Sequence, residues 1–339
     1  MKILIVGAGA VGMVYGHHLA TAGHEITFLV KEKYQAQLEQ EKENGAVLYY
    51  LNKDKALKKP IHFKDFSVIS HWDSSESYDL IALAISSTAL RQLPLDKLNL
   101  HVKSKTSPAS ILMLQPSDED FEYLKQTINA DQILQGMITL ISYQTDDIND
   151  EVNPAGIAYY LPPLAMPISS PRVSPKVSPN DSAEVVKQST ARDEVIKIFN
   201  QSGIKARSVK SALDESRLPS AFFMTFLCAL EAANWEFNRL KNSPQLLQQL
   251  SEAQRALLPL KISANGLSQS VQKALLAAIL KPWLYKTIIR IAPKVVPLPL
   301  EAYLKKHFLK VRSQTLLYMQ DYHKQYPSKA VANLIALIN

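Results

Sequence analysis

The sequence predicts an α/β protein in which a doubly wound parallel sheet is followed by an all-helical domain. Three observations predict it. Short apolar runs alternate with helical patterns through the first two hundred residues, as strand–helix–strand units of a parallel sheet require. Half of the ten glycines in the 339 residues (Gly7, Gly9, Gly12, Gly16 and Gly23) lie in the first 23 positions, as a tight turn opening a helix would place them. After residue 211 only Gly266 remains, and the apolar spacing is helical almost throughout.

The runs at 3–6, 26–30, 80–85 and 111–114 read as buried parallel strands. Between the first two, Val11, Val14, Tyr15, His18 and Leu19 recur at helical spacing. Residues 44–70 read as further strands or irregular structure, with a lysine-rich stretch from Lys53 to Lys59. Runs at 133–143 and 156–161 read as strands extending the same sheet. Residues 162–182 hold six prolines interleaved with serines and are expected as an extended surface excursion, outside any helix or central strand. A helix over 182–201, stopped by Ser202-Gly203, and a strand at 204–209 complete a first domain of residues 1–210. Residues 211–339 form the helical substrate and dimerisation domain. Its last long helix is expected over 299–323, with an apolar stripe of Leu300, Leu304, Phe308, Val311, Tyr318 and Tyr322.

Composition narrows the function classes. At 47% hydrophobic and 20% charged the chain has the makings of a large core and is no disordered segment. A lone cysteine, Cys228, in an apolar run excludes an internal disulfide framework and a four-cysteine zinc site. The longest clean apolar run of the helical half, 274–280, is far short of the ~20 residues of a membrane span. The opening apolar stretch is broken by Gly7 and reads as a strand of a cytoplasmic protein, not as a leader. Charge is uneven: 22 Lys+Arg against 24 Asp+Glu in residues 1–210, but 16 against 7 in residues 211–339. The second half thus favours an anionic ligand or surface.

Gly7-Ala8-Gly9-Ala10-Val11-Gly12 matches G-x-G-x-x-G in its proper setting, after a strand and at the start of an amphipathic helix. Gly7 permits the turn, Gly9 lets a pyrophosphate approach the backbone, and Gly12 allows close helix–strand packing. The pattern predicts a Rossmann-type dinucleotide site. At the end of the second strand the chain reads Val30-Lys31-Glu32-Lys33, where an NAD site usually places an acid. Lys31, helped by Lys33, favours the 2′-phosphate of NADP. The alternatives are Glu32 as a ribose acid two places on, or two solvated lysines.

The N-terminal sequence MKILIVGAGAVGMVYGHHLATAGHEITFLVKEK, with its glycine loop, Gly23-His24-Glu25 turn and Lys31, resembles the ketopantoate reductase family. A weaker echo lies at 299–315, PLEAYLKKHFLKVRSQT. The resemblance implies NADPH-dependent reduction of 2-dehydropantoate to pantoate, and it places Ser86 and Gln115 at cofactor-facing positions. The sequence departs from the family's catalytic pattern. A lysine of the family meets Ile85-Ser86-Ser87 here, and its Asn-Gly meets Gln115-Pro116-Ser117. Its Trp-x-Lys-Leu pattern meets the run from Asp214 to Ala221, with Arg217 the nearest cation, and a late glutamate falls near Thr315-Leu316.

The chemistry of a 2-keto acid then needs other groups. Arg217 suits a carboxylate clamp but releases a proton poorly; its alternative is a surface or helix-start charge. His307, Lys310 and Gln314, at i, i+3 and i+7 of the expected last helix, share one side. His307 is the candidate acid and Lys310 the candidate carboxylate anchor, against a histidine bordering the core and a solvated lysine. Asn234, with Glu231 and Glu236, is a candidate substrate contact on the helix after Arg217, against a capping role. His17 and His18 have no partner at metal-ligand spacing, and no metal is expected. The expected reading is an NADPH-dependent oxidoreductase acting on a small anionic carbonyl substrate. The alternative is an NADP-binding module whose catalytic set has decayed, serving regulation or partner contact. Residues 281–312 carry eight Lys+Arg against one acid amid Trp283, Leu284, Tyr285, Ile288 and Ile289, a pattern open to peripheral membrane contact or to a plain solvated face. No nucleic-acid partner is expected, because no stacking platform accompanies the charge.

Overall fold

A computed structural model describes the chain except residues 53–58, 73–75, 103–107, 149–153, 171–181, 260–273, 275 and 339. The Ser-Pro repeats within 171–181, most of the lysine-rich stretch and Gly266 therefore lie outside the described residues. The chain divides into two compact units, one of Met1–Leu51, Leu57–Asp146 and Glu151–Leu213, the other mainly of Asp214–Asn339.

The first unit is an α/β domain. Its strands are β1 (Lys2–Val6), β2 (Glu25–Leu29), β3 (Ala46–Tyr50), β4 (Ile61–Phe63), β5 (Ser67–Ile69), β6 (Leu80–Leu83), β7 (Ser110–Met113), β8 (Ile133–Gly136), β9 (Ile141–Gln144), β10 (Ile157–Tyr160), β11 (Met166–Ser169) and β12 (Ala206–Ser208). Eight of them form one sheet in the order β12-β11-β8-β7-β6-β1-β2-β5. From β5 to β8 every pairing is parallel. The strand order reverses at β1, which lies between β2 and β6, and such a switch point opens a crevice at the carboxyl ends of its strands. The strands of this stretch are apolar on both faces because helices cover both.

The expected extension of this sheet by the runs at 133–143 and 156–161 is half right. β8 joins it, but β9 and β10 join β3 and β4 in a separate four-stranded sheet, β4-β3-β10-β9. Helix α1 (Ala10–Thr21) touches β1 and β2 on one side and β9 and β10 on the other. That accounts for its sequence, in which Gly12, Met13, Val14, Tyr15, Gly16 and Leu19 are all buried.

The proline-rich segment also departs from expectation. Met166–Ser169, containing Pro167, is a buried strand between β8 and β12. Its neighbours carry the ladder with β12: Met166 N–H donates to Lys205 O (2.7 Å) and Ile168 O accepts from Val209 N–H (3.0 Å). Pairing with β8 begins only at Ile168. Pro167 thus occupies a position where no ladder donor is required.

The second unit is helical: α7 (Ala212–Ala232), α8 (Phe237–Lys241), α9 (Pro244–Ala256), α10 (Pro282–Val295), α11 (Leu300–Lys310), α12 (Arg312–Gln325) and α13 (Lys329–Ala336). The first unit contributes α2 (Glu32–Asn44), α3 (Ser87–Leu90), α4 (Leu95–Val102), α5 (Asp118–Lys125) and α6 (Ser182–Gln201). Cys228 lies in the helical core, and burial pushes its thiol up to about 12. The single helix expected over 299–323 is two helices parted at Val311 (φ −110°, ψ 25°). The apolar spacing continues across the joint, so periodicity alone runs straight through it.

Candidate active site

The turn after β1 is built by glycine. Gly7 ends β1, its N–H donates to Leu29 O (2.9 Å), and its φ of +101° lies in the left-handed region that favours glycine. A Cβ there would sit 2.7 Å from Ile85 Cγ2 and 2.8 Å from Ala84 O, so only glycine lets the loop lie against the end of β6. A Cβ at Gly12 would sit 2.1 Å from Gly7 O, which fixes how closely α1 follows the turn. Gly9 is the reverse: no atom lies within 4 Å of its would-be Cβ. The outer side of the turn is open where α1 presents its first-turn N–H groups, which have no intrahelical acceptor. That turn carries no acidic side chain. Ala8, Ala10 and Val11 complete the loop and are half-buried. Open space, free donors and the positive end of a twelve-residue helix together fit a pyrophosphate.

Lys31 is exposed, two residues past β2, and serves as the backbone N-cap of α2. Because Leu29 pairs with Val6, the lysine leaves the sheet at the same edge as the glycine loop. Lys33 turns its ammonium over the Tyr34 ring, 4.7 Å from the centroid.

Ser86 follows β6 and caps α3, its Oγ accepting from Ala89 N–H (3.2 Å) and lying 3.0 Å from Thr88 Oγ1. Gln115 is buried. Its amide nitrogen donates to Leu83 O (3.1 Å) and Ile85 O (2.6 Å), and its amide oxygen accepts from Leu114 N–H (3.2 Å). The side chain expected to face a cofactor instead splints the carboxyl ends of β6 and β7.

Asp120, which the sequence reading passes over, anchors the same edge. Its carboxylate is fully buried and accepts from Ser87 Oγ (2.5 Å), Arg91 Nε (3.0 Å) and Arg91 Nη2 (2.9 Å). Arg91 also lies over Tyr123, 5.5 Å from the ring centroid. The turn carrying Ser86 and Ser87 is thus pinned to α5. A serine followed four residues later by arginine, with an acid in the next helix, is too common a pattern to mark this in sequence.

On the far side of α1, His18 Nδ1 lies 2.8 Å from Ser202 O and its Nε2 3.2 Å from Tyr159 Oη. Burial lowers the pKa of both His18 and its neighbour, and His17 falls to about 4. Among the described residues no group of three or more His, Cys, Asp or Glu is placed to hold a metal.

In the helical unit Arg217 lies one turn from Asp214 on α7, with Nη1 3.6 Å from Oδ1. His307, on α11, is half-buried, stacked on Tyr303 (5.3 Å, 28°) and edge-on to Phe308 (4.8 Å). Lys310 is exposed at the end of the same helix. Gln314 belongs to the next helix, where its amide donates to Tyr318 Oη (3.1 Å), so the expected common side of three residues reduces to His307 and Lys310. Asn234 is not on the helix after Arg217. That helix stops at Ala232, and Asn234 is exposed with φ 56°, a left-handed stop followed by Trp235 at φ 62°. Glu231 accepts from Arg312 Nε (2.6 Å), which ties the end of α7 to the start of α12.

Residues 3–156 match the family model described as ketopantoate reductase PanE/ApbA. No curated protein sequence matches the chain. Among solved structures, a D-mandelate dehydrogenase with NADH and anilino(oxo)acetate is similar over 100% of this chain and 97% of its own (TM-score 0.63, 14% identity). A PanE/ApbA family ketopantoate reductase from Ralstonia eutropha covers the same shares (TM-score 0.63, 16% identity). A 2-dehydropantoate 2-reductase from Geobacter metallireducens is similar over 100% and 99% (TM-score 0.57, 16% identity). At these identities the solved structures establish the shared fold. The glycine cradle, the strand order around it and the matched model make residues 3–156 a domain of the ketopantoate reductase PanE/ApbA family.

Proposed function

We propose that the chain is a cytoplasmic NADPH-dependent oxidoreductase that reduces a small 2-keto acid or a related anionic carbonyl compound. The observation that carries the reading is the turn at the switch point. Gly7 and Gly12 leave no room for a side chain, while Gly9 faces open space beside the first-turn amides of α1. Residues Gly7 to Gly12 hold the pyrophosphate, Lys31 pairs with the 2′-phosphate, and the Ser86 hydroxyl lines the crevice. Gln115 acts by holding the strand ends in place. A bound nicotinamide supplies the hydride.

The remaining work falls to the chain. Reduction of a carbonyl leaves an oxygen that must take up a proton, and an imidazolium can release one near neutral pH where a guanidinium releases none. His307 is assigned that proton, Arg217 the substrate carboxylate, Lys310 a second cation, and Asn234 an amide contact. The test is consumption of NADPH with a panel of 2-keto acids. Arg217→Ala should raise KM, and His307→Gln should lower kcat by about a hundredfold or more. Lys31→Ala should weaken NADPH by about tenfold and leave NADH unchanged.

A second reading is favoured by two features: Ile85-Ser86-Ser87 stands where the resemblance implies a lysine, and the Gln115 amide is occupied by the carbonyls of Leu83 and Ile85. It is an NADP-binding module without turnover. Tight NADPH binding with no reduction of any keto acid would replace the first reading by this one.

A further inference from the structure

Helix α10 has more apolar surface than its unit uses. Tyr285 and Ile289 are buried in the helical core, and Leu284 packs against it. A second stripe, Ile288, Ile291 and Val295, follows i, i+3, i+7 spacing and is 44%, 49% and 58% exposed. Trp283 at the start of the helix is 54% exposed, and Ile279 just before it 42%. Lys286, Arg290 and Lys294, at i, i+4, i+8, form an exposed cationic stripe beside these residues. From residue 253 to 300 the sequence holds seven Lys+Arg and no Asp or Glu.

The charge decides what covers such a face. A second copy of the chain would oppose one acid-free cationic stripe to another, and like charges across an interface repel. A nucleic acid would satisfy the cations but leave four large apolar side chains in water. An anionic bilayer accommodates both sets: phosphate headgroups pair with Lys and Arg, and the aliphatic side chains and Trp283 enter the boundary with the acyl chains. No helix among the described residues is long and apolar enough to cross a membrane, so the contact is with a surface.

We propose that α10 docks the protein on an anionic lipid bilayer, with Ile288, Ile291, Val295 and Trp283 inserted and Lys286, Arg290 and Lys294 on the headgroups. The test is sedimentation of the full chain with vesicles of phosphatidylcholine, with and without phosphatidylglycerol, at low and high salt. Binding to the anionic vesicles alone, released by salt, is expected. Lys286→Gln/Arg290→Gln/Lys294→Gln should weaken it about a hundredfold. Ile288→Ser/Ile291→Ser/Val295→Ser should abolish it although every charge remains, and a blue shift of tryptophan emission on binding should disappear in Trp283→Phe. Circular dichroism and NADPH titration check that each variant is folded. No sedimentation at low salt overturns the proposal. So does full binding by the serine variant, which would make the face a general polyanion site for heparin or nucleic acid. A dimer in light scattering that the serine substitutions dissociate, without lipid binding, overturns it in favour of a second copy.

Discussion

Replacing Gly9 by alanine separates the phosphate cradle from the fold that carries it. The backbone at Gly9 has φ −72°, ordinary for alanine, and a Cβ there meets nothing within 4 Å. Alanine is a poorer N-cap than glycine by several tenths of a kcal/mol, while the stiffer unfolded chain returns about 0.4–1 kcal/mol. The free protein should therefore melt within a few degrees of wild type. The same Cβ stands on the open side of the turn, where a pyrophosphate would approach the α1 amides. Losing one or two charge-assisted hydrogen bonds costs about 1.5–3 kcal/mol each, so NADPH should bind on the order of a hundredfold more weakly. Gly12→Ala is the control. Its Cβ would lie 2.1 Å from Gly7 O, a backbone atom that no rotamer change can move. It should cost about 3 kcal/mol and lower the melting temperature by roughly 10 °C without any ligand. Thermal melts of the free proteins and fluorescence titration with NADPH give both quantities. Unchanged affinity in Gly9→Ala, or a fall in its melting temperature equal to that of Gly12→Ala, would refute the reasoning.

Two further outcomes follow from the same unit. Asp120→Asn keeps the side-chain shape but strips Arg91 of its ion partner. Since Arg91 is itself 35% exposed, we expect a loss of about 1–3 kcal/mol in urea melts. Asp120→Asn/Arg91→Met, which removes both charges, should lose less than the single variant. His17 has its pKa lowered from 6.5 to about 4 by burial first and by His18 second. The unfolded chain takes up that proton before the native one does, so its contribution is intact above about pH 6.5 and lost as pH falls towards about 4. After allowance for solvent screening, His17→Gln should recover about 1 kcal/mol of the stability lost near pH 5. Equal acid sensitivity in the variant and wild type would exclude His17 as the source.

What the sequence made legible was local. The strand, turn and helix at 1–30 are contiguous, and the glycine at 7 that needs a positive φ lies next to the strand it ends. Pro167 escaped because its place in the sheet depends on which neighbour supplies each ladder donor, and those neighbours lie some thirty to forty residues away. β9 and β10 read as members of the main sheet because strand periodicity says nothing of the partner. The break at Val311 was invisible because the apolar stripe continues through it. Asn234 lies two residues past the end of its expected helix, and a left-handed asparagine and a helical one look alike in sequence. The Asp120 anchor joins helices thirty residues apart and leaves no local trace.

Helix α1 is held on both flanks, by the main sheet and by β9 and β10, with His18 tied to Ser202 and Tyr159. The turn at its tip cannot loosen alone; the hydrogen-bonded amides of α1 beyond that first turn exchange with solvent only when the whole unit opens. A ligand seated there at a hundred times its Kd adds about 2.7 kcal/mol to that opening, so protection rises across the sheet and not merely beside the loop. Proteases that cleave the opened chain then slow in the same proportion. The lifetime of the polypeptide is thereby set in part by how much of its ligand the cell keeps free.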